Sequence, residues 1–255
     1  MSGLDVRFEG DTVRATLCRP LVRNALGAEE WQRLESLEEE LASSREADFV
    51  VLASEGDCFC AGVDLALIEA ARQRPEGMID LIRRNGSIVA RLGRVPQLLI
   101  VAVDGPAIGI GMHLALAGDF LLATRRSYFW LPEAQLGLVD VFHHGVLERC
   151  LGRHGAAALA LLGRKLPAGE ALRLGIIGEC FDTRAALDDA VDDMRATLRK
   201  VPRGVRRAYK ARAVAGLTDD LVGQVEAMQA VLAGAESSEE RASISGRQAA
   251  QGQQG

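Results

Sequence analysis

Phe59-Cys60-Ala61-Gly62-Val63-Asp64-Leu65 follows the apolar run Phe49-Val50-Val51-Leu52-Ala53, and the same design recurs where Leu98-Leu99-Ile100-Val101-Ala102-Val103 leads into Gly105-Pro106-Ala107-Ile108-Gly109-Ile110-Gly111. Continuous apolar runs of this length read as strands buried on both faces. The segment between them reads as a crossover helix ending near Pro96, and strand, helix and strand imply parallel pairing. Each glycine-containing turn then opens a helix, the first from about Val63 and the second from about Met112. Backbone N–H groups at such starts lack intrahelical acceptors, and the helix dipole favours negative charge there. Two such turns facing one point would hold an oxyanion. Taken singly, each is also what an ordinary strand-to-helix connection looks like.

Working outward, Val6 and Phe8, then Val13, Ala15 and Leu17, alternate on either side of Gly10-Asp11, the pattern of a hairpin. Over 28–43 the apolar positions Trp31, Leu34, Leu37 and Leu41 recur at helical spacing among glutamates. Beyond the second turn a short strand is predicted at 120–123, and helices at 156–162, 168–174, 185–198, 205–214 and 221–232. The last of these are amphipathic and suited to packing on another subunit. The expected organisation is a core domain over 1–200, a C-terminal helical region over 201–245 and a polar, low-complexity, disordered tail over 246–255.

Composition narrows the function classes. With 255 residues, 48% apolar and 25% charged, the chain can bury one large core. A net charge of −5 leaves no broad basic face for nucleic-acid phosphates or anionic lipid. The opening MSGLDVRFEG lacks a basic and apolar leader, and no apolar stretch reaches membrane-spanning length, so a soluble cytoplasmic protein is expected. Five cysteines, an odd number, read as reduced thiols; Cys58-x-Cys60 lacks companions at metal-ligand spacing, and no metal site is expected.

Further motifs join the two turns in order: Arg19-Pro20 with Arg23-Asn24-Ala25-Leu26, then Leu131-Pro132-Glu133-Ala134-Gln135-Leu136-Gly137, then Glu170-Ala171 with Gly175-Ile176-Ile177. The set, covering roughly residues 4 to 215, resembles the crotonase (enoyl-CoA hydratase/isomerase) superfamily. That resemblance implies an α/β fold, a crotonase-type ββα superhelix with a helical C-terminal oligomerisation region, assembling as a homotrimer or dimer of trimers. It implies an oxyanion hole made by the N–H groups of Val63 and Ile110. It also implies a groove for coenzyme A or phosphopantetheine lined by Asn24, Ala25, Leu26, Ala61, Gly62, Asp64, Leu65, Gly109 and Gly111. Ile110 stands where many relatives have glycine, so its side chain should restrict the groove.

Hydratases of the family carry two glutamates. Here the second is Glu133, and His113 replaces the first. Glu133, beside apolar neighbours, is the expected acid/base, with partial desolvation favouring proton transfer near neutrality. His113 lies in the apolar run 112–117, as either a core histidine or a group that holds water, a substrate oxygen or Glu133. Asp140 falls near the place where dienoyl isomerases of the family put a second carboxylate; it is either a proton partner or the N-cap of a helix beginning near Val141. His143-His144 replace the usual small residues and either narrow the acyl pocket or cover its rim.

The resemblance therefore points to dehydration, hydration or double-bond isomerisation of an acyl thioester, carried by CoA or a carrier protein, in polyketide or other secondary metabolism. No cofactor is implied beyond the CoA or phosphopantetheine that arrives with the substrate. Two other readings stay open: hydrolysis of a C–C bond in a β-diketone, in which His113, Asp140, His143 and His144 activate water, and a non-catalytic thioester-binding homologue.

Overall fold

The computed structural model describes residues 3–74, 76–139, 142–214 and 229. In chain order its elements are β1 (Leu4–Glu9), β2 (Thr12–Leu17), α1 (Ala28–Ser43), β3 (Phe49–Ser54), α2 (Leu65–Arg72), α3 (Gly77–Gly93), β4 (Leu98–Val103) and β5 (Ala107–Ile108). They continue as α4 (Ile110–Leu116), β6 (Phe120–Thr124), β7 (Tyr128–Trp130), α5 (His144–Leu162), β8 (Leu166–Pro167), α6 (Ala168–Arg173), β9 (Glu179–Phe181), α7 (Arg184–Arg199) and α8 (Arg203–Val214). The predicted helix over 221–232 and the tail over 246–255 lie outside the described residues.

The main sheet runs β1-β2-β3-β4-β6-β9, antiparallel only at the β1/β2 hairpin. The apolar runs behave as a doubly covered strand should. Val50, Leu52, Leu99, Val101 and Val103 enter the larger core with α1 and α3, while Val51, Ile100 and Ala102 turn to a smaller core closed by Leu187 and Val191 of α7. A second, three-stranded sheet, β5-β7-β8, sits at the end of the glycine turns. Its strands are two or three residues long, too short for any periodicity to reveal them.

Three boundaries differ from the sequence expectation. The helix after the first turn starts at Leu65 rather than Val63, because Asp64 caps it by accepting the Ala66 N–H. The helix after the second starts at Ile110 rather than Met112, with Gly109 ahead of it at φ 56°. The helix expected to begin near Val141 begins at His144, with His143 as its cap residue.

Helix α8 reverses the usual amphipathic arrangement: its cations Arg206 and Lys210 are buried while Val205 and Tyr209 are exposed. Arg206 donates to the Leu198 and Val201 carbonyls and to Asp48, and lies over the Phe49 ring. Lys210 reaches Asp119, whose carboxylate also accepts the Leu99 N–H at the start of β4. Burial raises the Asp119 carboxyl pKa and lowers that of Lys210, so desolvation outweighs their attraction. The pair therefore locates α8 more than it stabilises it. Lys210→Met leaves a buried uncompensated carboxylate and should lower unfolding stability by about 3–5 kcal/mol in urea denaturation. Combining it with Asp119→Asn, which retains an acceptor for Leu99, should recover most of that loss.

Candidate active site

Three loops and strand β7 are stitched together by backbone hydrogen bonds at the ends of β3 and β4. Leu26 donates to Gly62 O (2.8 Å) and accepts from Asp64 N (3.0 Å), forming a parallel bridge opposite Val63. In such a bridge the central residue's own N–H points the other way. A second bridge joins Cys60 to Ala107 through Ile108 N to Cys60 O (2.9 Å), and Gly109 N donates to Trp130 O (2.8 Å). The N–H groups of Val63 and of Ile110, the first residue of α4, are left with no backbone acceptor among the described residues. Both residues line one cavity of about 170 Å³. Val63 lies in the loop two residues ahead of α2, and α4 has only seven residues. Neither N–H therefore sits at the start of a long helix.

Glycine is required at two of these positions. Gly62 has φ 104°, and a Cβ there would stand 3.2 Å from the Ile108 carbonyl oxygen. Gly109 has φ 56°, and a Cβ there would come within 2.4 Å of Glu133 Oε1. The Glu133 carboxylate therefore sits directly on the backbone next to the Ile110 donor. Glu133 opens a 3-10 turn over Glu133–Leu136, held by Leu138 N to Glu133 O (2.9 Å) and by Gln135 Nε2 to Leu162 O (3.0 Å).

The rest of the cavity is mostly apolar, with Leu65, Ile68, Met78, Leu81, Ile82 and Ile110 among its walls, and Asn85, His113 and Glu133 as its polar side chains. His113, 2% exposed, faces the cavity from α4, and the 4% exposed His143 lies behind it. Their Nδ1 atoms are 3.3 Å apart, their planes 16° apart and their ring centres 5.4 Å apart. That centre spacing is close to the N···N distance plus two ring radii, so the rings meet edge to edge with the two Nδ1 atoms within hydrogen-bonding distance, and the tautomers set which one donates. Phe142 packs its ring edge-on against both imidazoles. Burial first, and the neighbouring His113 second, push the His143 pKa well below its ordinary value, so His143 is neutral near pH 7. Its backbone is held at φ 58°, a costly conformation for a side chain of this size.

Of the residues singled out from sequence, Ala61, Gly62, Val63, Leu65, Gly109, Ile110, His113 and Glu133 come together in this cavity. Asn24, Ala25 and Leu26 are not among its walls. The Asn24 amide accepts from Arg19 N and donates to the Glu55 and Cys58 carbonyls, which ties the loops together. Asp64 caps α2 and faces Arg19 at 3.5 Å, and Gly111 packs on the Cys60 carbonyl. Asp140 lies outside the described residues. His143 neither narrows the pocket nor covers its rim but buttresses His113, while His144 is the half-buried first residue of α5. Sequence reasoning missed Asn85 and the apolar wall of α3, although a polar residue on that helix's apolar stripe was there to be seen.

Comparisons with known proteins give the family and the fold. The enoyl-CoA hydratase/isomerase family model matches residues 8–251. The chain is 32% identical over 185 residues to the 1,2-epoxyphenylacetyl-CoA isomerase of Escherichia coli K12, covering 71% of each. It spans 62 to 71% of the lengths of three of its curated relatives. Its fold superposes on an enoyl-CoA hydratase from Bacillus halodurans with a TM-score of 0.84 at 21% identity, over 96% of this chain and 100% of that one. A Thermobifida fusca YX protein of the enoyl-CoA hydratase type, solved in complex with acetoacetyl-CoA, aligns with a TM-score of 0.75 at 28% identity, over 91% of this chain and 93% of that one. No helix among the described residues is long and apolar enough to cross a membrane. With its mixed α/β fold, its paired glycine turns and its carboxylate above the second of them, this chain belongs to the enoyl-CoA hydratase/isomerase family, the crotonase superfamily, as a lyase or isomerase by type.

Proposed function

We propose that the chain binds an acyl thioester, forms its enolate in an oxyanion hole made by the Val63 and Ile110 N–H groups, and moves protons with Glu133. The observation that carries this reading is the contact of Glu133 Oε1 with Gly109, which puts a carboxylate beside one donor at the wall of an apolar cavity. A thioester oxygen between the two N–H groups gains their hydrogen bonds as negative charge develops on it, each donor being worth about 3–4 kcal/mol. Glu133 removes the Cα proton. Returning it to Cγ of a 3-enoyl thioester completes a double-bond shift, with one carboxylate serving both steps. In a 3-hydroxyacyl thioester the enolate instead expels the β-hydroxyl, which leaves as water with a proton supplied by His113 or by Glu133 itself; hydration is the reverse.

The handle is coenzyme A or a carrier protein's phosphopantetheine, and the chemistry calls for donors and a base rather than a further cofactor. Self-association into trimers or paired trimers through the C-terminal helices fits the exposed Val205 and Tyr209 of α8. A second reading, water-dependent cleavage of a β-diketone, draws support from the His113–His143 pair, which could hold and deprotonate a water facing the cavity.

Incubating wild type, Glu133→Gln and His113→Ala with 3-hydroxyacyl, 2-enoyl, 3-enoyl and β-diketo thioesters in deuterated water separates these readings by mass spectrometry. Deuterium should enter Cα or Cγ with wild type and fall by about 10²–10⁴-fold in Glu133→Gln. Cleavage that needs His113 but not Glu133 would establish the hydrolase, and no exchange with any thioester would establish a binding protein. Gly109→Ala should lower kcat about 10²-fold, since its methyl group displaces Glu133 Oε1 from a position where small shifts are costly.

The His143 shift also predicts a pH dependence of stability. The unfolded chain takes up a proton below about pH 6.5 that the folded site refuses, so folding binds fewer protons and stability falls as pH drops through that value. Urea midpoints measured from about pH 7 down to about pH 5 should decline for wild type. They should decline less for His143→Asn, a side chain that tolerates positive φ.

A further inference from the structure

The cavity contains a polar group that proton transfer does not use. On α3 the apolar positions Met78, Leu81, Ile82, Ile88, Val89 and Leu92 form one stripe at helical spacing, and Asn85 stands in the middle of it, where the period calls for an apolar residue. Asn85 is 3% exposed, forms part of the wall of the acyl cavity, and its Nδ2 has no hydrogen-bond partner among the described residues. A buried amide left without a partner costs about 1–3 kcal/mol, and leucine at this position would avoid that cost. Such a group is explained if something that enters the cavity completes it.

We propose that Asn85 is a specificity-determining residue that hydrogen-bonds a neutral oxygen, keto or hydroxyl, on the acyl chain beyond the reacting carbons. This inference rests on the reading of the cavity as an acyl-thioester site. The chemistry of the wall selects the class. Among the described residues the cavity's lining holds no lysine or arginine and one carboxylate, so a second carboxylate on the acyl group would be repelled. A plain alkyl chain would fill the apolar walls yet leave the amide unpaired, which is how a site built for an oxygen rejects an analogue lacking it. An amide can donate to a ketone, or donate to and accept from a hydroxyl, so it suits either.

The test uses acyl-CoA pairs of equal length, alkyl against hydroxy or keto at successive carbons. Binding is measured by calorimetry to Glu133→Gln, whose turnover should be about 10²–10⁴-fold slower, and kcat/KM with wild type. At the matching carbon the oxygenated member should bind about 10- to 100-fold tighter than its alkyl partner. In the Glu133→Gln background Asn85→Leu should abolish or invert that ratio while melting no lower than its parent, and Asn85→Ser should keep part of the preference. Equal binding of both members at every carbon overturns the proposal, as does a ratio that survives Asn85→Leu. Uniform weakening of both members together with a lower melting temperature would make Asn85 structural and also overturns it. If Asn85→Leu fails to fold, the wild-type ratio and Asn85→Ser decide. The reaction is judged separately, by deuterium exchange in wild type: a clear ratio without exchange supports Asn85 while refuting the enolate chemistry.

Discussion

The parallel bridge between Leu26 and the Gly62-Val63-Asp64 turn is the contact on which the site depends. By bonding to the residues on either side of Val63, Leu26 leaves the Val63 N–H facing the other way, and the neighbouring bridge from Cys60 to Ala107 brings Ile110 to the same cavity. On the proposed function this matters, because backbone donors fixed by a hydrogen-bonded framework need no reorganisation when charge develops. Much of the local sequence serves this framework. Asn24 ties two loops, the ring of Gly105 N, Ser127, Thr124 and Asp104 closes the second turn, and Arg126 clamps Asp104 from outside.

Around that framework the polar groups fall into two kinds. Lys210, Asp119, Arg206 and Asp48 are buried or partly buried with partners and serve to locate α8 on the sheet. Asn85, His113 and Glu133 face the cavity, and His143 supports His113 from behind. The first kind positions an element, since removing either partner strands a charge. The second kind is arranged about an apolar space, and on the proposed function proton transfer and acyl recognition would fall to the same few side chains.

Much of this was legible beforehand because periodicity reports burial directly. The double-sided runs at β3 and β4 lack alternation, and both faces proved covered, one by α1 and α3 and the other by α7. The ends of helices were less legible. Asp64 moved the start of α2 by capping it, and His143 displaced the expected start of α5 because its backbone lies in the left-handed region, which residue identity does not announce. The hydrogen bonds made by Asn24 and Asp64 were not legible either. Short polar side chains bond to whichever backbone groups the tertiary fold brings near, and here those were loop carbonyls and a helix end.

The sequence by itself determined the strand, glycine-turn and helix units and the family, and it singled out Glu133 and His113 as candidates, because motif order and hydrophobic period are local properties of the chain. Only the tertiary structure decided that Glu133 Oε1 rests on Gly109, that His143 backs His113 and that Asn85 faces the same cavity. Those relations join residues distant in sequence, and their geometry depends on how helices and loops pack across the sheet, which no local pattern encodes.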